Sequence, residues 1–285
     1  MTNKHNVLIA LAAYKEAENL ENLIDKIKLF APHSTILVIN DNSNDETKKI
    51  IDKINYKNLV YLERPYKLGL GTAHKLSMFY AIKFNYDFLL TMDADTSHDP
   101  CHIPDLLEKA TTDSFVIGSR FCEGGKSDYT GTRKIISILG NFVARNFLNI
   151  KLLEITTYYR VYSVKLLKKL PYNELNAQGY SLGVKIVWFM KKLKANLIEV
   201  PIHFKDRNKG QSKIPKFQIF ISSFDLFFLK FKDLFTKYFF KDENENETFN
   251  LEYICNNCHN SFFTLINREN YKCLICNNNI RSSKK

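Results

Sequence analysis

No stretch of this sequence stays apolar and uncharged over the roughly 18–20 residues that a membrane span requires, so no spanning helix is expected. Nor does it open on a charged leader with an apolar core. Met1-Thr2-Asn3-Lys4-His5-Asn6 runs straight into a short apolar strand, and the expectation is a chain without a secretory signal peptide. Cysteine is scarce in the body of the chain: Cys101 and Cys122 stand alone, and the other four fall at 255, 258, 273 and 276. Isolated thiols read as small buried hydrophobes, and the usage as a whole argues against an oxidising compartment and for a reducing cytoplasm. Acidic residues are in deficit, 30 against 41 Lys and Arg, for a net charge of +11. That excess fits an anionic partner (nucleic acid, anionic lipid or a phosphorylated substrate), or a set of solvating lysines with no partner at all.

What is present is a globular composition, 45% hydrophobic and 25% charged over 285 residues. The length suffices for one substantial core and a small extra module. Apolar runs at 6–13 (NVLIALAA), 35–40 (TILVIN), 59–63, 88–92 and 114–119 (SFVIGS) read as buried strands. Between them lie helical patterns, the first with Ala17, Leu20, Ile24 and Ile27 on one face. Helices are also expected over about 45–54, 68–84, 103–110, 133–148, 161–170 and 180–193, and a strand over 197–201. Ile136, Leu139, Phe142, Val143 and Phe147 form a stripe on the 133–148 helix and are expected in the core. Alternating strand and helix argues an α/β sheet that binds ligands at its carboxyl ends.

Those ends carry chemistry. The run Phe88-Leu89-Leu90-Thr91-Met92 stops at Asp93-Ala94-Asp95. Carboxylates at i and i+2 share a side while the chain is extended, and they repel unless a cation sits between them. Mg²⁺ or Mn²⁺ suits that position, with hard oxygen ligands completed by phosphate oxygens. Taken alone, Asp-x-Asp fits a solvated acidic turn equally well. Two further strand ends carry Asp41 and Arg120. Gly69 and Gly71 at a helix start allow close backbone approach, although two glycines do not make a phosphate loop. The basic loop at 205–213 is either solvated or a phosphate clamp of Arg207 and Lys213, with Ser212 as a hydrogen-bond donor.

In order along residues 6–213, these stretches resemble the motifs of glycosyltransferase family 2, in its dolichyl- or polyprenyl-phosphate mannosyltransferase-like branch. Ala13-Tyr14-Lys15-Glu16-Ala17-Glu18-Asn19-Leu20 is similar to P-x-Y-N-E-x-E-N-L, and 40–47 (NDNSNDET) to D-D-x-S-x-D-x-T. Residues 69–73 match G-L-G-T-A, 92–100 match M-D-A-D-x-S-H-x-P, and 118–120 match G-S-R. Arg133 to Ser137 matches R-x-x-x-S, 199–202 match E-V-P-I, and 207–213 match R-x-x-G-x-S-K. The sequence departs from the pattern at Ala13, Lys15 and Asn40. D-x-T-x-G-F-R-x-Y appears as 154–162 (EITTYYRVY), so that Tyr158 and Tyr159 stand for Gly and Phe, and Lys185 stands where a glutamate is frequent. The Q-x-x-R-W of processive polysaccharide synthases is absent, the only tryptophan being Trp188.

The resemblance implies a nucleotide-sugar-binding α/β fold of the GT-A type, with a mostly parallel central sheet and helices on both faces. It implies a metal-dependent, inverting transfer from a GDP- or UDP-linked sugar to a polyprenyl phosphate. Its catalytic residues would be Asp93, Asp95, Arg120, Arg133, Arg207 and Lys213, the two aspartates holding Mg²⁺ or Mn²⁺ and the basic groups handling phosphates. Ala13, Tyr14, Glu16, Asp41, Ser43, Gly71, Asp93, Ala94, Asp95 and Ser212 would line the donor, with Asp41 at the base or ribose.

The tail holds two further features. From 217 to 240 the sequence is rich in Phe, with Phe217, Phe220, Phe224, Phe227, Phe228, Phe231, Phe235 and Tyr238 on one helical stripe. It reads as an interfacial helix on a membrane, or as one packed against protein. Beyond it, Cys255-x2-Cys258 and Cys273-x2-Cys276 have the spacing of a tetrahedral Zn²⁺ site, iron being the alternative metal. The expected domains are 1–213 catalytic, 214–241 amphipathic helix, 242–249 polar linker and 250–280 zinc ribbon. Expected partners are the nucleotide sugar, the lipid phosphate, the inner face of the membrane and a protein at the ribbon, without nucleic acid. Transfer to a saccharide hydroxyl is the alternative activity. A binding factor that acts through the ribbon and its positive charge is the alternative class.

Overall fold

The structure, a computed structural model, describes residues 5–175 and 179–206 and four short strands of the tail. Strands and helices alternate as β1 (Val7–Ala13), α1 (Ala17–Phe30), β2 (Thr35–Asn40), α2 (Thr47–Lys53), β3 (Leu59–Glu63), α3 (Leu70–Lys83) and β4 (Phe88–Asp93). There follow α4 (Ile103–Glu108), β5 (Ser114–Ser119), β6 (Lys126–Ser127), α5 (Gly131–Phe147), β7 (Arg160–Ser163) and α6 (Val164–Leu167). Last come α7 (Gly179–Lys192), β8 (Asn196–Pro201) and β9 (His203–Phe204).

Seven strands form one sheet in the order β3-β2-β1-β4-β7-β5-β8. All neighbours run parallel except β7, which is antiparallel to both β4 and β5. The strands are continuously apolar because helices cover both faces. On one face Leu8, Ala10, Leu37 and Leu89 pack with Met78 and Ile82 of α3 and Ile186 of α7. On the other, Ile9, Leu11, Val38 and Leu90 pack with Leu20 and Ile24 of α1 and Leu106 of α4. The expected mostly parallel sheet between helical layers is the one observed.

Three expectations need correction. Residues 161–170 do not form one helix: 160–163 are strand β7, and only Val164–Leu167 is helical. Arg160 explains the strand. Its buried guanidinium donates to the carbonyls of Ile155, Thr157 and Gly183, which pins this segment between β4, β5 and α7. Cys101 and Cys122 are not buried thiols; Cys101 is exposed in the turn after Asp99-Pro100, and Cys122 is half-buried. Among the described residues, the apolar stripe of α5 is core only at Phe147, which packs against the sheet-side cluster. Asn141, Ala144 and Leu148 face inward, and Leu139, Phe142 and Val143 are between 54% and 58% exposed. The phase is set by Asn141, which donates to Thr156 Oγ1 and accepts from the Ile155 N–H. Among the described residues no helix is long and apolar enough to cross a membrane.

His74, on α3, is a buried histidine whose ring stacks on Tyr158 at 3.9 Å. Burial, followed by the nearby positive charge of Arg160, pushes its pKa down to about 3. The unfolded chain therefore binds this proton near the ordinary value of 6.5 and the folded chain far below it. A depressed value means stability that is full at neutral pH and lost on acidification. Between pH 7 and 5 the loss should be about 2 kcal/mol from this group alone. Urea denaturation at the two pH values tests it. His74→Phe, which keeps a ring against Tyr158, should lose distinctly less stability over the same interval.

In the tail, β10 (Leu251–Ile254) pairs antiparallel with β11 (Ser261–Thr264), and β12 (Tyr271–Lys272) with β13 (Asn279–Ile280). The Phe-rich segment, the linker and all four tail cysteines lie outside the described residues.

Candidate active site

Register brings three strand ends together. Ala13 pairs with Asn40, and Ala12 with Asp93, so the chain leaves β1, β2 and β4 at one level. The Asp41 N–H donates to the carbonyl of Ala13 at 2.8 Å. The buried Asp41 carboxylate pairs with Arg64 and accepts from the Leu68 and Gly69 N–H groups. Gly69 has φ +88, the left-handed region that glycine tolerates, and it starts α3. Arg64 also donates to Thr72 and to the Gly69 carbonyl. Asp41 thus builds the loop before Gly71, a task the sequence did not reveal because Arg64 belongs to no motif.

Around this edge sit the other donor-side residues. Tyr14 is half-buried, with Lys67 Nζ 3.8 Å from its ring centroid. The Lys15 N–H donates to Ser43 Oγ at 2.8 Å, tying the β1 and β2 loops together. Glu16 accepts from the Asn19 side chain at the start of α1.

The carboxylate turn follows β4. Asp95 is 7% exposed, and its Oδ1 accepts from Ser97 Oγ and the Ser97 N–H. Asp93 has its side chain a quarter exposed. His98 Nδ1 accepts from the Asp93 N–H at 2.9 Å, and its Nε2 is 2.9 Å from Thr157 Oγ1. Downstream, Lys205 Nζ donates to Asp99 at 2.7 Å. Burial opposes ionisation of Asp99, but Lys205 and the Cys101 N–H outweigh it and hold the carboxyl at about 2. A buried carboxylate beside a part-exposed one is a hard-oxygen donor set and fits Mg²⁺ or Mn²⁺. Among the described residues no cluster of three or more His, Cys, Asp or Glu could hold a metal, so ligand oxygens would have to complete the shell.

Arg120, at the end of β5, is buried. It donates from Nε and Nη2 to Glu154, each at 2.7 Å, and lies 4.7 Å from the ring centroid of Phe204. The other oxygen of Glu154 accepts from the Thr156 N–H and Oγ1. Glu199 accepts from the N–H groups of Leu153 and Glu154. The expected phosphate ligand is therefore already paired with one carboxylate. Glu154 was visible in sequence only as a departure from the family's Asp. Arg133 falls on α5, but its side chain is outside the described atoms, as are Arg207, Ser212 and Lys213.

Comparison with known proteins agrees with this geometry. Residues 8–171 match the family described as Glycosyl transferase family 2. An undecaprenyl-phosphate mannosyltransferase of Micrococcus luteus is 34% identical over 211 residues, 73% of this chain and 87% of that protein. A polyprenol monophosphomannose synthase of Mycolicibacterium smegmatis is 29% identical over 212 residues, 73% and 80% of the two chains. In fold the chain is similar to mannosyl-3-phosphoglycerate synthase from Rubrobacter xylanophilus, with a TM-score of 0.60 at 16% identity, over 92% of this chain and 88% of that one. It is also similar to glucosyl-3-phosphoglycerate synthase from Mycobacterium tuberculosis, solved with Mn²⁺ and UDP, with a TM-score of 0.54 at 19% identity over 79% and 78%. Carboxylates at the end of a central parallel strand, a matched family over more than half the chain and a 34% identical mannosyltransferase agree: the chain is a glycosyltransferase and belongs to glycosyl transferase family 2.

Proposed function

We propose that this chain moves a sugar from a GDP- or UDP-linked donor to a polyprenyl phosphate at a membrane surface, mannose being the sugar its relatives' names suggest. The donor lies over the ends of β1, β2 and β4, among Tyr14, Asp41, Ser43, Asp93 and Asp95. An acceptor phosphate oxygen attacks the anomeric carbon as the bond to the nucleoside diphosphate breaks, with inversion. Mg²⁺ or Mn²⁺ held by Asp93 and Asp95 would offset the charge that grows on the leaving diphosphate. Arg120, held by Glu154, presents a fixed guanidinium to the acceptor side. A phosphate nucleophile is already ionised and needs no general base.

The observation that carries the lipid half of this reading is α5. Ile135, Ile138, Leu139, Phe142 and Val143 are all exposed, on the helix that also carries Arg133. Such a face suits the headgroup boundary of a bilayer. The Phe-rich sequence at 214–241 is a second feature whose composition suits such a boundary. Leu139→Asp with Phe142→Asp should reduce cosedimentation with anionic liposomes by tenfold or more, as expected from roughly 1.5–3 kcal/mol per fully buried side chain. Transfer to lipid phosphate should fall with it, and nucleotide-sugar binding should not. Wild-type protein that ignores liposomes at low salt would sink the membrane reading.

The tail reading stays a zinc ribbon of Cys255, Cys258, Cys273 and Cys276. It is supported by the strand pairs: 255–258 falls between β10 and β11, and 273–276 between β12 and β13. Two such knuckles suit one tetrahedral ion. Elemental analysis of the purified chain should find one zinc per molecule; none would refute the ribbon.

A further inference from the structure

We infer that His98 is a positioning residue that locks the carboxylate turn to the turn carrying Glu154 and Thr157, so that one side chain sets the geometry of both donor and acceptor sides. The inference rests on the metal reading of Asp93 and Asp95. His98 is buried at 1% exposure. A backbone N–H can only donate, so the 2.9 Å contact from the Asp93 N–H leaves the lone pair on Nδ1. The ring proton then sits on Nε2, which donates to Thr157 Oγ1 at 2.9 Å. The ring is packed on two sides as well. It stacks on Tyr159 at 4.9 Å and meets Phe204 edge-on at 5.3 Å.

The turn needs such a hold. Thr96 has φ 66, left-handed backbone that a β-branched residue adopts only under constraint from its surroundings. Ser97 holds the Asp95 carboxylate within the turn, and His98, at the end of the turn, holds the Asp93 backbone N–H while reaching across to Thr157. On its far side, Thr157 also accepts from the Tyr159 N–H, and the Tyr159 hydroxyl donates to the Asp99 carbonyl. Tyr159 stands where the family pattern has Phe, so this chain adds a second tie between the same two turns. Groups that orient metal ligands from behind commonly change metal affinity by one to two orders of magnitude.

The test is Mn²⁺ binding in the presence of GDP or UDP without acceptor, read by electron paramagnetic resonance of free Mn²⁺, beside thermal unfolding of each variant. His98→Ala should weaken Mn²⁺ binding by roughly ten- to a hundredfold. His98→Asn, whose amide oxygen reaches the Asp93 N–H but whose side chain falls short of Thr157, should recover most of that affinity without recovering turnover on lipid phosphate. Thr157→Val keeps the shape of the far turn and removes the acceptor, so it serves even where His98→Ala does not fold. It should weaken Mn²⁺ binding severalfold from a residue that is no ligand. Wild-type protein that binds no Mn²⁺ overturns the metal reading and this inference with it. Wild-type binding matched by all three variants overturns this inference alone.

Discussion

Asp95→Asn is expected to abolish metal-dependent donor binding and to reduce turnover by on the order of a thousandfold, while leaving the fold as stable as before or more so. The sign of the stability change follows from the charge. Asp95 is buried two residues from Asp93, and if the two carboxylates share a cation site, as proposed, they repel each other when the cation is absent. An amide of the same shape removes that repulsion and still accepts from the Ser97 N–H and hydroxyl. The loss of activity follows from the same change, because a neutral amide is a poor ligand for a hard divalent ion. Calorimetric titration with GDP- and UDP-sugars, with and without Mn²⁺, reads the first effect. A thermal melt of the metal-free protein reads the second. Unchanged turnover would remove Asp95 from the metal site; a large fall in melting temperature would make it a structural carboxylate.

Much of this site was legible in sequence because it lies where buried strands stop. A continuous apolar run ending in Asp93-Ala94-Asp95 fits a buried strand that stops at the carboxyl end of a sheet, and the register puts the ends of β1, β2 and β4, at Ala13, Asn40 and Asp93, at one level. What sequence could not show is who answers whom across the fold. Arg64 and Asp41 are partners, as are Arg120 and Glu154, yet neither pair has a spacing that announces it. Strand β7 was misread as helix because a four-residue strand carries too little periodicity to be seen, and its start is an arginine. The α5 stripe was misassigned for another reason. An amphipathic pattern reports that a face is apolar and does not say what covers it. Only the inward turn of Asn141 toward Thr156 shows that the apolar face looks outward.

The pair of Arg120 and Glu154 leads to the largest effect on stability. Glu154→Ala should destabilise the protein by about 3–5 kcal/mol, since it strands a buried guanidinium. Glu154→Gln should rescue little. One carboxylate oxygen accepts from Arg120 and the other from Thr156, so whichever way an amide turns, its NH₂ faces donors. Replacing both partners, as Arg120→Met with Glu154→Leu, removes the stranded charge as well as the pair. Apolar side chains there would meet Phe204, Phe121 and Tyr129, which now face the guanidinium. The double variant should therefore regain most of the lost stability. If Arg120 has the role proposed for it, activity should not return with it, because its fixed guanidinium is gone. Urea denaturation and transfer assays on the two single variants and the double variant separate these effects. Recovery of both stability and turnover would show that Arg120 only fills the core. Failure to recover stability would show that Glu154 acts through the Thr156 turn rather than through Arg120.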